Sequence, residues 1–119
     1  EARFRVDHEG SRHYPAIRRL LQRIGETPAA RLTNPQMAEQ CGMSESHFRK
    51  LFREEVGVSP NQYCERVRMT QACRRLSESN RRILAIAAEL GYDDPLYFSK
   101  RFRAVVGLSP RAYRRSAGS

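Results

Sequence analysis

The stretch Phe48 to Pro60, FRKLFREEVGVSP, returns fifty positions later as Phe98 to Pro110, FSKRFRAVVGLSP, with eight of the thirteen aligned residues identical. A solenoid needs three or more stacked repeats to bury a continuous core, so a single duplication at this period points elsewhere. It predicts one small unit built twice, each copy carrying its own basic helix. Half of 119 residues is roughly 60, near the lower limit for an independent core, so the halves are expected to share a connecting element.

The pattern around the repeats is helical. Tyr14, Ile17, Leu20, Leu21 and Ile24 follow helical spacing, with Pro15 suited to a first turn and Gly25 expected to end the helix. A loop follows to Thr33. Asn34 and Pro35 read as cap and first residue of a short helix through Cys41. Gly42-Met43-Ser44 then turns the chain into a second helix from about Glu45 to Val56, stopped by Gly57. A short helix, a turn containing glycine and a second helix make a helix-turn-helix pattern. The second copy repeats it with Ile83 to Leu90, a turn at Gly91 that is one residue longer, and Asp94-Pro95 opening a helix to Val106.

Ser59-Pro60 and Ser109-Pro110 read as further helix starts. The first opens a long helix to about Ser77, whose apolar residues form two stripes: Tyr63 and Val67, then Met69, Ala72, Cys73 and Leu76. Such a helix suits a connector that packs against both halves. The second opens a short terminal helix to about Arg115. The organisation expected is a lead-in or interdomain linker over 1–12, a first helix-turn-helix subdomain over 13–58, a linker helix over 59–78 and a second subdomain over 79–116.

Charge narrows the partner. A formal net charge of +9 and a pI near 10.3 favour a polyanion, because surplus Lys and Arg attract phosphate. Cys41, Cys64 and Cys73 lack the close pairing of a zinc site and read as core filling in a reducing compartment. His8, His13 and His47 form no ligand spacing, so no metal, cofactor or catalytic residue is expected. No apolar run approaches the ~20 residues of a membrane span. The chain opens on Glu1 rather than Met, which suggests a fragment of a longer protein.

On the second helix of the first copy, Phe48, Leu51, Phe52 and Val56 share one face, while Ser46, Arg49, Lys50 and Arg53 share the other. In the second copy the inward set is Phe98, Phe102, Val105 and Val106, and the outward set is Leu96, Ser99, Lys100 and Arg103. The four phenylalanines could stack on unpaired bases, but their spacing beside Leu51 and Val105 favours a core role. Two basic helices, each following such a turn in a chain this positive, point to duplex DNA.

The stretch Met37-Ala38-Glu39-Gln40-Cys41-Gly42-Met43-Ser44, then Phe48-x-x-x-Phe52, Gly57-x-Ser59-Pro60 and Tyr63, resembles the DNA-binding domain of AraC/XylS-type bacterial transcription regulators. The resemblance continues through Arg68-Met69-x-x-Ala72-x-x-x-Leu76, Ile86-Ala87 and Gly91-Tyr92. It closes with Tyr97-Phe98-Ser99-Lys100-x-Phe102, Gly107-x-Ser109-Pro110 and Tyr113. It implies an all-α fold of about seven helices, in which two helix-turn-helix subdomains joined by the long helix enter successive major-groove segments.

Carried onto this chain, the resemblance makes Ser46, Arg49 and Lys50, with Leu96, Ser99 and Lys100, the base-contact candidates. Arg49 and Lys50 suit guanine, and Leu96 a thymine methyl. The phosphate-contact candidates are Arg53, Arg103, Arg111, Arg114 and Arg115, with the helix starts at Ser59 and Ser109. Arg68 is a candidate tie between the linker helix and a neighbour. The chain departs from the family pattern at Ser46, which is small, at Pro95 and Leu96, where polar residues are common, and at Arg101, which replaces the apolar Leu51. The second helix is therefore expected to lean on phosphate contacts and DNA shape.

The expected role is an activator that contacts RNA polymerase, cytoplasmic and associated with the nucleoid, whose effector or dimerisation domain lies outside this chain. Two rivals stand beside it: a protein-interaction module with basic faces, and the DNA-binding part of a repair protein.

Overall fold

The computed structural model describes residues 14–118; the expected lead-in over 1–12, with His8 and His13, lies outside the described residues. Among the described residues there are seven helices and no strand. They are α1 (Tyr14–Glu26), α2 (Asn34–Gln40), α3 (Glu45–Val56), α4 (Pro60–Glu78), α5 (Ile83–Glu89), α6 (Pro95–Val106) and α7 (Pro110–Ala117). The all-α fold expected from the sequence is the fold observed.

The chain divides into two compact units, with the division falling inside α4 between Cys64 and Glu65 and with residues 28–30 grouped in the second unit. In the first unit α1 buries Ile17, Leu20 and Ile24, α2 buries Met37 and Ala38, and α3 buries Phe48, Phe52 and Val56. Tyr63, at the start of α4, sets its ring edge-on to Phe52 at 6.0 Å and 71°. In the second unit Met69, Ala72 and Leu76 of α4 join Ile86, Ala87, Leu90, Tyr92, Phe98 and Phe102 in one cluster. Tyr113 stands edge-on to Phe102 at 5.8 Å and 74°, so the repeat of sequence is a repeat of packing.

Local chemistry accounts for most helix ends. Ser44 accepts from the His47 amide at 3.2 Å, and Ser109 from the Ala112 amide at 3.1 Å. Asp94 opens α6 by accepting from Leu96 and Tyr97 through one oxygen. Gly57 and Gly107 end α3 and α6 at the same left-handed φ of 99°, a conformation in which a Cβ would be strained. Between the paired helices the first turn runs from Cys41 to Ser44 and the second from Leu90 to Asp94, one residue longer as the sequence implied.

Three local expectations need correction. Thr33, not Asn34, caps α2: its hydroxyl accepts from the Gln36 amide at 3.2 Å, while the Thr33 amide donates to the Gln36 side chain at 2.8 Å. That reciprocal pair satisfies two backbone donors, which a cap one residue later would forgo. Gly25 lies inside α1, because the helix closes at Thr27, whose amide and hydroxyl both donate to the Arg23 carbonyl. Val105 is 38 % exposed although it falls one face with Phe98; the second unit's cluster takes in Val106 and leaves Val105 at its margin. At the aligned position in α3, Glu55 is only 2 % exposed.

Candidate nucleic-acid interface

In the first unit the stripe of buried residues turns the rest of α3 outward. Ser46, Arg49, Lys50 and Arg53 are all exposed. With Asn34, Ser59, Pro60 and Asn61 they line an open groove of about 450 Å³. The structure thus brings together the three base-contact candidates of this copy and two of its phosphate candidates, Arg53 and Ser59. Lys50 lies 4.0 Å from Glu54, an exposed pair on one helix of the kind that holds its charges only weakly. The Ser59 amide is not available to phosphate, because it donates to the Gln62 side chain at 3.0 Å while Ser59 Oγ accepts from the Gln62 amide.

Asn34 and Asn61 were missed as groove residues. Asn34 Oδ1 is buried without a hydrogen-bond partner among the described residues, and Asn61 is exposed. Asparagine beside proline at two helix starts was the available signal, but from sequence Asn34 reads as a cap and Asn61 is passed over.

In the second unit Leu96, Lys100 and Arg103 are exposed on α6, while Ser99 is half-buried. Arg111 and Arg115 are exposed on α7. Arg114 is otherwise engaged: its Nε donates to the Leu76 carbonyl at 3.0 Å and its Nη2 to the Ser79 carbonyl at 3.2 Å. A cation there satisfies orphan acceptors at the end of α4, so two of the Arg114 donors are committed to the frame. Ser109 is half-buried and its hydroxyl serves the α7 cap.

The remaining charges build the frame. Arg68 Nε donates to the Tyr92 hydroxyl at 3.1 Å, and its guanidinium lies 5.6 Å from the Tyr92 ring centre, which makes it the tie its position suggested. Arg101 donates to both oxygens of Glu65, and this hydrogen-bonded partner raises the guanidinium further above its ordinary value. Glu89 meets Arg75 at 3.3 Å and also pairs with Arg81. All four phenylalanines singled out above are fully buried, so none offers a ring to an unpaired base.

The three thiols are only partly buried. Burial pushes the Cys41 thiol up, against the pull of Arg19, and its sulfur donates to the Ala16 carbonyl at 3.8 Å. Burial likewise raises Cys73, and the hydrogen bond to Cys73 raises Tyr113. Among the described residues no group of His, Cys, Asp or Glu could hold a metal ion, and no helix is long and apolar enough to cross a membrane.

Residues 37–116, well over half of the chain, match a family model described as a helix-turn-helix domain. An HTH-type transcriptional regulator of Haemophilus influenzae is 38% identical over 81 residues, covering 68% of this chain and 27% of that protein. The C-terminal domain of AraT, a response regulator of Geobacillus stearothermophilus, superposes with a TM-score of 0.81 at 33% identity, covering 89% of this chain and 88% of that one. The chain belongs to the AraC/XylS family.

Other members of the family extend the picture. The DNA-binding domain of AdpA, solved in complex with a target DNA, has a TM-score of 0.80 at 27% identity, over 85% of this chain and 91% of that one. The transcriptional activator AarP of Providencia stuartii is 34% identical over 86 residues, covering 72% of this chain and 64% of that protein. The AraC/XylS domain here spans about a quarter of the length of the first curated relatives it matches.

Proposed function

We propose that this chain is the duplex-DNA-binding part of an AraC/XylS-type transcription regulator and reads sequence through α3 and α6. The observation that carries the reading is the α3 groove, where Ser46, Arg49, Lys50 and Arg53 stand exposed together in a chain of charge +9. A major groove about 12 Å wide admits an α-helix, and there Arg49 or Lys50 can donate to guanine O6 and N7. Ser46 lies one turn earlier, able to donate or accept at a base edge. Arg53, farther along the helix, suits phosphate.

In the second copy Lys100 and Ser99 are the hydrogen-bonding candidates and Leu96 the apolar one, with Arg103, Arg111 and Arg115 toward phosphate. The family and the paired helices favour successive major-groove segments, so that one chain would cover an asymmetric site of two turns at ~34 Å each. Charge draws the domain to DNA and base edges select among sites. The mechanism calls for no catalytic residue and no cofactor.

For the whole protein we propose an activator that contacts RNA polymerase, acts in the cytoplasm on nucleoid DNA, and carries its effector or dimerisation domain outside this chain. The naming of AarP as an activator supports the sign of regulation. Selection of duplexes from a random pool by this chain tests the reading. Two enriched segments are expected; enrichment of none would leave a basic protein-interaction module as the better account.

A further inference from the structure

Leu96 is 77 % exposed, the most exposed large apolar side chain among the described residues, and Tyr97 next to it is 53 % exposed. Both stand in the first turn of α6, where Asp94 Oδ1 holds their amides at 3.0 and 3.3 Å. The turn is therefore fixed while its apolar side chains stay in water. Tyr97 is further held by its ring contact with Tyr92, 6.3 Å between centres.

Leu96, Lys100 and Arg103 recur at i, i+4 and i+7, so the apolar tip shares its face with two exposed cations. An apolar protein surface would have no use for that pairing of charges. A duplex would, because its phosphates border a groove in which the apolar group on view is the thymine C5 methyl. Ser99, where the first copy has Arg49, is half-buried and short, so hydrogen-bonded readout is weakest here. In the first copy the position of Leu96 is held by Ser46.

We propose that α6 recognises thymine through the C5 methyl, with Leu96 as the contact, so that the two recognition helices read different chemistry: hydrogen bonds at α3, methyl groups at α6. This rests on the DNA-binding reading above and adds to it the determinant used by the second helix.

The test replaces thymine by uracil, which pairs alike and lacks only the methyl, in short windows along a duplex that this chain has itself selected. Binding is expected to fall about fourfold per contacted methyl, the equivalent of ~0.8 kcal/mol, in the window facing α6. Leu96→Ala should bind more weakly and lose that sensitivity, whereas Leu96→Met should keep it; an exposed position tolerates both changes. Uracil tolerated in every window would overturn the proposal, as would a Leu96→Ala chain that stays as sensitive as the parent. Unchanged DNA binding by Leu96→Ala would overturn it too and reassign the tip to a protein partner. A chain that prefers no duplex at all would instead sink the DNA reading itself, and this inference with it.

Discussion

Arg101 of α6 holds Glu65 of α4 through two hydrogen bonds, Nε to Oε2 at 2.6 Å and Nη2 to Oε1 at 2.8 Å. The aligned residue of the first copy is Leu51, so the two copies seat the same helix by different means. Arg101 is 37 % exposed, and solvent screening limits what the pair contributes. Its two-pronged geometry nevertheless places it at the upper end for such pairs. Arg101→Ala should cost about 1 kcal/mol in urea unfolding, with a similar coupling to Glu65→Ala in a double-mutant cycle. Zero coupling would show that Arg101 only packs.

This pair also marks a limit of reading from sequence. Arg101 looked like a departure from the family pattern because its partner lies thirty-six residues away, and no periodicity connects the two. Arg114 was hidden for the same reason: its acceptors are carbonyls at the end of α4. Asp94, by contrast, was legible as a cap, since its bonds reach only two and three residues ahead.

Arg49 stands exposed among the residues that line the α3 groove. Arg49→Ala should weaken binding to the best selected site by ~1–3 kcal/mol and blur the preference at one position. Titration against both the selected duplex and a scrambled one checks this. An equal loss on both would assign Arg49 to phosphate.

Arg103 occupies the exposed face of α6 two turns below Leu96. Arg103→Ala should weaken all sequences alike and reduce the slope of log K against log salt by about one. Fluorescence anisotropy across a salt series gives that slope. If it does not change, Arg103 leaves the set of phosphate contacts.

Cys41, Cys73, Tyr63 and Tyr113 all have raised pKa values, the first three chiefly by burial and Tyr113 chiefly by its hydrogen bond to Cys73. The unfolded chain releases these protons near the ordinary values of 9.0 for the thiols and 10.0 for the phenols, while the folded chain retains them to higher pH. Stability from these groups is thus complete below the unfolded values and is lost as pH rises through the folded ones. Urea midpoints should hold steady near neutrality and fall above pH ~9, and Cys73→Ala should flatten part of the decline. A midpoint that stays level in alkali would rule out the inward placement of these groups.

What the sequence by itself determined depends on near neighbours: seven helices, most of their caps, the glycine stops at Gly57 and Gly107, the buried phenylalanines, and the basic outward stripe on α3. Helical period and capping act within about four residues, so the linear order carries them in full. Tertiary structure alone decided which polar residues face inward or pair at a distance. It placed Glu55 inside and Val105 outside at aligned positions, tied Arg68 to Tyr92 and Arg101 to Glu65, and brought Asn34 and Asn61 to the α3 groove. The repeat made the two copies look equivalent, and contacts between distant residues made them different.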